Sequence, residues 1–306
     1  MLPIGESIHI IKKTIREAVD NRDKDFIQDL AKRQVEGGAK ALDLNMGPMK
    51  KRGAETMEWM VDTVQEVTDV RLSLDTSNAE AMEAGLAKCK QRAIINSTNA
   101  DPERMKVLMP MAAKYNADLI CLTLRRTGLP VEAEQRVEIA TDDMMPAAME
   151  YGLPFENIIF DPLVLTVDGT QDHGPNVVRA ASILKQLNDP PFKLTCGLSN
   201  VSNGHPEETR YVLNCTYLAM LMGAGMDCPI VDTLDSNVME TMRIVEERDD
   251  STPAGKLYIA LHDAIAEDEE FDTSMADMND PDQSNIVKAY KILEDRMLYA
   301  HDFLRL

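Results

Sequence analysis

The chain has 306 residues, of which 44% are hydrophobic, and its formal net charge at pH 7 is -20. An excess of acidic side chains of this size argues against a nucleic-acid groove or an anionic membrane surface as the binding partner. No apolar run approaches the roughly 20 residues that a membrane-spanning helix needs. The N-terminal residues MLPIGES have neither the basic nor the apolar region of a secretory signal. We therefore expect a cytoplasmic protein.

The cysteines and histidines give no sign of a disulfide framework or a metal centre. The five cysteines are scattered without CxxC spacing, which favours reduced, buried thiols. The five histidines are far apart in the sequence and form no metal-ligand pattern, so we expect no metal site.

Eight short apolar runs recur along the chain, and each ends in a polar residue. Segments of helical period lie between them, and a repeated strand–helix unit implies parallel strands joined by crossover helices. Eight units predict an α/β fold, a TIM (β/α)8 barrel, in which the chemistry sits at the C-terminal ends of the strands. The predicted strands are Pro3–Glu6, Ala41–Asn45, Arg71–Asp75, Ala93–Asn96, Leu119–Thr123, Ile158–Asp161, Lys193–Asn200 and Cys228–Asp232.

The predicted helices follow these strands in chain order. Asn78 is a good N-cap residue for the helix after the third strand, and Pro102 suits the first position of the next helix. The helical segments are Asp25–Glu36, Glu55–Val67, Asn78–Cys89, a helix that starts at Asp101, Gln135–Tyr151, Pro175–Asn188 and Thr209–Gly223.

The barrel units end near residue 248, and a C-terminal helical extension follows. The segment Glu267–Asp282 contains eight acidic residues and no basic residue, which is typical of a solvated link. Ser284–Leu306 is predicted to be one amphipathic helix that packs on the barrel or on a second subunit. We accordingly divide the chain into a barrel domain, residues 1-262, and an acidic link with a C-terminal helix, residues 263-306.

Acids and amides dominate the predicted strand ends. Carboxylates accept from the N–H groups of a heterocycle edge and amides both donate and accept, so this set of side chains suits the amino-pyrimidinone edge of a pterin. For Asn78 and Asn99 the simpler interpretation is that they cap a helix or end a strand, whereas strand-end placement coincides three times at Asp75, Asn96 and Asp161. No Ser-His-Asp order, phosphate-binding glycine loop or HExxH spacing occurs.

Seven motifs together resemble the pterin-binding methyltransferase family. They are GES, DLNMGP, LDTSN, INSTNA, FDPLVL, QDHGP and GLSNVS, in the order of the family and over roughly residues 1 to 250. Within the family the likeness is closest to the methyltetrahydrofolate:corrinoid/iron–sulfur protein methyltransferases. The resemblance implies a TIM barrel, tetrahydrofolate as substrate, a corrinoid supplied by a partner protein, a homodimer, and methyl transfer between N5 of tetrahydrofolate and the cobalt of the protein-bound corrinoid.

The resemblance also implies roles for individual residues. The pterin-edge contacts of the family fall on Asp75, Asn96 and Asp161, and the asparagine that hydrogen-bonds near N5 of the pterin falls on Asn200, the expected catalytic residue. The other residues expected to bind substrate are Gly197 and Ser199 beside Asn200, Asp43 and Asn45 on the second strand, and Asn203 and Arg210 after the seventh strand.

The sequence departs from the family at two motifs. The family's GERIN is replaced by Gly5-Glu6-Ser7-Ile8-His9, so its arginine and asparagine are absent. Asn203 stands where the family has glutamine, in a loop about one residue longer than the common one, and this weakens the match of Arg210.

Two other functions and one structural ambiguity remain open at this stage. A noncatalytic folate-binding subunit of a corrinoid methyltransferase system would use overlapping residues. A dihydropteroate synthase-like enzyme would need a lysine and an arginine late in the barrel, where this chain has CGLSN. An apolar helix face could contribute to the homodimer or simply pack on the barrel, and its residues are Leu218, Met220, Leu221 and Met222.

Overall fold

A computed structural model of the protein describes residues 1–49 and 51–305, and in it eight parallel strands form one curved sheet surrounded by helices. The strand order is β7-β6-β5-β4-β3-β2-β1-β8. The two ends of the sheet meet through a parallel bridge between Gly197 and Ile230 and through a 2.8 Å hydrogen bond from Ile230 N to Cys196 O. The predicted TIM barrel is confirmed.

The strands lie where the apolar runs predicted them, with two corrections at the end of the barrel. The predicted seventh strand, Lys193–Asn200, ends after two residues and gives way to a 3₁₀ helix at Leu198–Ser202, because the chain turns there into the barrel mouth. The eighth strand is also shorter than predicted. The observed strands are β1 (Ile4–His9), β2 (Ala41–Gly47), β3 (Arg71–Thr76), β4 (Ile94–Asn99), β5 (Asp118–Leu122), β6 (Ile158–Asp161), β7 (Lys193–Leu194) and β8 (Ile230–Val231).

Thirteen α-helices lie in the described part of the chain. Asn78 caps α4 by accepting from the backbone of Glu80 and Ala81, and Asp101 caps α5 with Pro102 in its first turn, as predicted. The helices are α1 (Lys13–Asp20), α2 (Lys24–Glu36), α3 (Gly53–Gln65), α4 (Ala79–Lys88), α5 (Pro102–Tyr115), α6 (Ala133–Glu138), α7 (Met145–Glu150), α8 (Val167–Thr170), α9 (His173–Gln186), α10 (Glu207–Gly223), α11 (Ser236–Glu247), α12 (Pro253–Ala266) and α13 (Pro281–Leu293).

Five of these helical regions differ from the prediction. The predicted helices did not include α1, α8, α11 and α12. The predicted helix Gln135–Tyr151 consists of α6 and α7 joined by a π-helical segment, Ile139–Met144. Such a segment inserts an extra residue into a helix without ending its amphipathic pattern, so periodicity alone does not reveal it.

The C-terminal extension is helical over a shorter range than predicted. The helix α13 ends at Leu293 rather than at Leu306, which lies outside the described residues. Asp295 has a φ of 55°, and this left-handed residue stops the helix while the N–H of Arg296 returns to Lys291 O. The acidic link is mostly exposed, with Phe271 buried as an anchor. The division at residue 262 falls inside α12 and stays a prediction.

The apolar helix face considered for a homodimer is buried within the single chain. The helices α11, α12 and α13 all pack on α10, so of the two alternatives the structure supports ordinary helix packing for these residues. The residues concerned, Leu218, Met220, Leu221 and Met222, are all at most 9% exposed. In the described ranges no helix is both long and apolar enough to cross a membrane.

Candidate active site

Polar residues on four adjacent strands form one row across the barrel mouth. The register pairs His9 with Asn45, Asn45 with Asp75, and Asp75 with Asn96. The register shifts at or beside this row in β1, β2 and β4, and each shift inserts one extra residue. Bulges of this kind re-aim side chains and are frequent next to active sites. The row therefore places an imidazole, two amides and a carboxylate side by side where the sequence expected a site.

A cavity of about 980 Å³ opens at this end of the barrel. Nine of the ten residues predicted from the sequence line it, although they come from five different segments of the chain. They are Asp43, Asn45, Asp75, Asn96, Gly197, Ser199, Asn200, Asn203 and Arg210.

Asp43 is a buried residue of the cavity lining and orients Asn96. Its Oδ1 accepts hydrogen bonds from Ser73 Oγ at 2.6 Å and from Asn96 Nδ2 at 3.0 Å. Burial raises the pKa of Asp43 to about 6, although both of these hydrogen bonds act in the opposite direction. With its Nδ2 held by Asp43, Asn96 has its amide oxygen left to accept from a ligand.

Asp75 supplies the carboxyl of this row. Asn45 donates its amide to the Asp75 carboxylate, and Gly47 N in turn donates to Asn45 Oδ1 at 3.1 Å. Burial raises the pKa of Asp75 to about 8, with the nearby Asp43 adding to the rise, while the charge of Arg104 and the Asn45 hydrogen bond oppose it. A ligand that donates N–H groups would stabilise the ionised carboxylate that burial disfavours.

Arg104 contacts the backbone of Ser97, next to Asn96 of this row. It was not among the site residues predicted from the sequence. It lies in the first turns of α5 and donates from Nε and Nη2 to Ser97 O at 2.9 and 2.6 Å. Burial lowers its pKa, and the attraction of Asp75 works against that shift. No motif singled out this arginine, because it belongs to a helix and not to a strand end.

Asp161 is the one predicted site residue that does not line the cavity. It ends β6, where Oδ1 accepts from Leu163 N at 2.8 Å and so stabilises a turn in which Leu163 has a φ of 67°. Burial raises the pKa of Asp161 to about 7. Its expected contact with a pterin stays a prediction.

The turn after β7 brings Asn200 to the cavity. The 3₁₀ helix at Leu198–Ser202 leaves the Asn200 side chain exposed at the mouth. A Cβ placed on Gly197 would lie 3.0 Å from Asn200 Nδ2, so the glycine leaves the amide room to approach the backbone. Gly197 and Asn200 therefore act together as one local arrangement.

Asn203 and Arg210 lie farther out on the same side of the mouth. Both side chains are exposed and line the cavity. Arg210 Nε is 3.4 Å from Ser202 Oγ, and Ser202 donates to Asn214 Oδ1 at 2.8 Å. Arg210 provides a positive charge at the rim, which suits a carboxylate on the outer part of a ligand.

Glu6 and Asp232 are cavity residues that the sequence reasoning left out of the site. Ser199 Oγ donates to Glu6 Oε1 at 2.6 Å, and Ser7 Oγ donates to Asp232 Oδ1 at 3.2 Å. Burial raises the pKa of Glu6 to about 7, and Asp232 adds to the rise. Both acids end predicted strands, so the strand-end rule applied to every strand would have found them.

These side chains can bind a heterocycle with alternating donors and acceptors and can place an amide beside one of its ring atoms. Carboxylates line the cavity from β1, β2, β3 and beyond β8, while amides come from β2, β4 and the β7 turn. In residues 1–49 and 51–305, no three His, Cys, Asp or Glu residues are grouped closely enough to hold a metal ion.

Comparisons with known proteins identify the family of the chain. The family model described as "Pterin binding enzyme" matches residues 13–232. The chain is 29% identical over 242 residues to a methylcorrinoid:tetrahydrofolate methyltransferase from Eubacterium limosum, an alignment that covers 78% of this chain and 88% of that protein. It is also 30% identical over 258 residues to a methionine synthase from Mycobacterium tuberculosis, covering 81% of this chain and 21% of that protein.

Solved structures of similar fold include dihydropteroate synthases. One from Stenotrophomonas maltophilia matches with a TM-score of 0.62 and 15% identity over 82% of this chain and 94% of that chain. One from Yersinia pestis matches with a TM-score of 0.57 and 17% identity over 81% and 91%. At this level of identity the likeness establishes the fold alone.

Proposed function

This chain belongs to the pterin-binding enzyme family, and from that premise we propose that it moves a methyl group between N5 of tetrahydrofolate and the cobalt of a corrinoid carried by a separate protein. The observation that supports this most is the convergence of Asp75, Asn96 and Asn200 on one cavity. The relative named as a methylcorrinoid:tetrahydrofolate methyltransferase, aligned over most of both chains, supports the same reaction.

The pterin edge would bind at the row of strand ends. Asp75 would accept from the N–H groups of the amino-pyrimidinone, and Asn96, held by Asp43, would accept through its amide oxygen. Binding brings N–H donors to buried carboxylates, so each acid gains the partner that burial otherwise denies it. Asp161, at the end of β6, is proposed as a third contact reached once its carboxylate faces the ligand.

Asn200 would act on N5 of the bound tetrahydrofolate. A tertiary amine is a poor leaving group, so methyl donation from the folate needs protonation or strong hydrogen bonding at N5. The exposed amide of Asn200 can hydrogen-bond to N5 and favour its protonated form without holding the proton itself. The proton would reach solvent through water and the acids of the cavity, and no protein residue would be methylated.

The corrinoid would come from a partner protein, and its cobalt would supply the centre that exchanges the methyl group. Among the described cavity residues the acids and amides suit a pterin, and no cluster suits a metal of the chain's own. The contribution of this chain is to bind and orient tetrahydrofolate and to control the proton at N5. A cytoplasmic location and a homodimer are parts of the same proposal.

The test is an anaerobic assay of purified protein with methylcobalamin and tetrahydrofolate, followed by the corrinoid spectrum and by detection of methyltetrahydrofolate. We expect transfer that depends on the protein. Asn200→Ala should lower kcat by about 10- to 100-fold, at the low end of or below the effect of a group that transfers the proton itself, because Asn200 only hydrogen-bonds to N5, and tetrahydrofolate affinity should change much less.

The matched control is Asn188→Ala, which removes a half-buried asparagine whose side chain bonds to Pro190 O at the far end of the barrel. It should behave like the wild type. Binding of tetrahydrofolate without turnover, even with a cognate corrinoid protein, would favour a noncatalytic folate-binding subunit. Absence of folate binding would contradict the whole proposal.

A further inference from the structure

The C-terminal segment Met297–Arg305, here called the C-terminal clamp, returns to the mouth of the barrel. Gln171 lies in the loop after β6, and its amide bonds to the clamp backbone twice. Nε2 donates to Met297 O and Oε1 accepts from Tyr299 N, each at 2.8 Å. The clamp lies beyond residue 232, where the family match ends.

Tyr299 of the clamp stacks on His205 of the loop after β7. The two rings are 4.4 Å apart between centroids and inclined by 17°. His205 is 8% exposed, and its Nε2 is 3.2 Å from Thr166 Oγ1, which donates to Asn203 O at 3.2 Å. The ring of His205 is thus held on one face by the clamp and at its edge by the loop after β6.

The other end of the clamp is anchored in the helical extension. Phe303 is fully buried, and Lys288 of α13 donates to Leu304 O at 3.1 Å. The hydroxyl of Tyr299 also bonds to His301 Nδ1 at 2.8 Å. Because both ends of the clamp are anchored by contacts with the rest of the chain, the fold holds Tyr299 against His205.

The loop that His205 belongs to needs such support. Asn203 and Gly204 are both exposed, and Gly204 has a φ of 82° with no atom within 4 Å of the place where a Cβ would lie. Backbone hydrogen bonds connect this loop to the turn before it, from His205 N to Ser202 O and from Asn203 N to Asn200 O at 3.2 and 3.1 Å. A displacement of His205 would therefore also displace Asn200.

We propose that the C-terminal clamp positions the loop after β7, and that the stack of Tyr299 on His205 keeps Asn200 and Asn203 at the barrel mouth. Tyr299 and His205 are positioning residues that act through the loop and touch no substrate. The inference rests on the proposed function only for the role of Asn200, since the clamp and its contacts are features of the fold itself.

The experiment compares variants of the full chain by amide hydrogen exchange and by kinetics. Tyr299→Leu removes the stack, and Tyr299→Phe keeps the ring. We expect Tyr299→Leu to speed exchange in a peptide covering residues 197–206 by about tenfold, because local opening becomes easier. It should lower kcat about tenfold, with at most about a threefold change in KM for tetrahydrofolate, since a small misplacement of a reacting group is costly.

Tyr115→Leu is the matched control. Tyr115 ends α5 at the opposite end of the barrel, where its hydroxyl is 3.3 Å from Glu83. This control and Tyr299→Phe should both resemble the wild type in exchange and in kcat. If Tyr299→Leu does not fold, Gln171→Leu breaks both hydrogen bonds to the clamp and should give the same two effects.

The outcomes separate this inference from the proposed function. If amide exchange at residues 197–206 is unchanged in Tyr299→Leu, the inference that the clamp positions this loop is overturned, whatever the activity. Faster exchange with unchanged kcat in an active enzyme overturns it as well. If the wild type transfers no methyl group, the proposed function fails. The exchange rates alone then support or overturn the inference that the clamp positions the loop after β7.

Discussion

The hydroxyl of Ser199 donates a 2.6 Å hydrogen bond to Oε1 of Glu6, two residues that are 193 positions apart in the chain. The bond joins the turn after β7 to β1 across the mouth of the barrel. Ser199 precedes Asn200, so the position of the proposed catalytic amide depends on an acid at the other end of the sequence. Glu6 therefore helps to hold the turn that carries Asn200.

Glu6→Gln should make the stability of the protein less dependent on pH. Burial raises the pKa of Glu6 from 4.5 to about 7 in the folded protein, with Asp232 adding to the rise. The folded state thus keeps this proton to higher pH than the unfolded chain. The resulting stabilisation is complete below about 4.5 and is lost as the pH rises through about 7.

Urea unfolding without folate, at about pH 5 and about pH 8, measures this effect. The fall in unfolding free energy between the two should be smaller in Glu6→Gln than in the wild type, by about 1–3 kcal/mol. Substitution of the exposed Glu103 on α5 by Gln should leave the fall in unfolding free energy between the two pH values as in the wild type. A fall in Glu6→Gln equal to that of the wild type would show that Glu6 is already ionised at neutral pH.

Asp75 should make tetrahydrofolate affinity dependent on pH. Its pKa of about 8 in the free protein leaves it largely protonated near neutrality, whereas the proposed contact uses the carboxylate. Binding would therefore release a proton, and affinity should rise by up to about tenfold per pH unit until the pH passes this pKa.

Titration calorimetry in buffers of different ionisation enthalpy would detect the released proton. Asp75→Asn should abolish the proton release and weaken binding at high pH by about 10- to 100-fold, the loss of a charged hydrogen bond. The exposed Asp62→Asn is the control, because Asp62 contacts Lys88 on the outside of the barrel. Tighter binding of the wild type at low pH would contradict this role.

Gly197→Ala should impair methyl transfer through Asn200. The new Cβ would lie 3.0 Å from Asn200 Nδ2, and the exposed amide would have to move. We expect kcat to fall by about 3- to 10-fold with little change in thermal stability. In the Asn200→Ala background the same substitution should cost nothing more, and an additive effect in this double-mutant cycle would contradict the coupling.

Substitution of Asp118 should lower the stability of the fold and leave folate binding unchanged. It begins β5 at the end of the barrel away from the site and is fully buried, with Arg71 and Arg92 donating to its carboxylate. Asp118→Asn should lower the unfolding free energy by about 2–4 kcal/mol, because two arginines lose a buried partner. Lys193→Ala, whose ammonium is 3.8 Å away, should cost much less.

Chemical denaturation and tetrahydrofolate titration of the same preparations would test this separation. The folate dissociation constant of Asp118→Asn should match that of the wild type. A weakened affinity would mean that the two ends of the barrel are coupled.

The sequence by itself determined the barrel and most of its site. Parallel strands bring their C-terminal ends to one face, so the polar residues that end apolar runs had to converge. Local signals were equally reliable at Asn78 and Asp101, since a cap depends on its own helix and on nothing distant.

Tertiary structure decided what depends on contacts between distant segments. The bond between Ser199 and Glu6, the support of Asp75 by Arg104, and the stack of Tyr299 on His205 join residues that no periodicity relates. The early end of α13 depends on one left-handed residue, Asp295, which apolar spacing does not reveal. The residue types at the strand ends can be read from the local sequence pattern. The orientation and the pKa of their side chains depend on burial and on neighbours that only folding brings together.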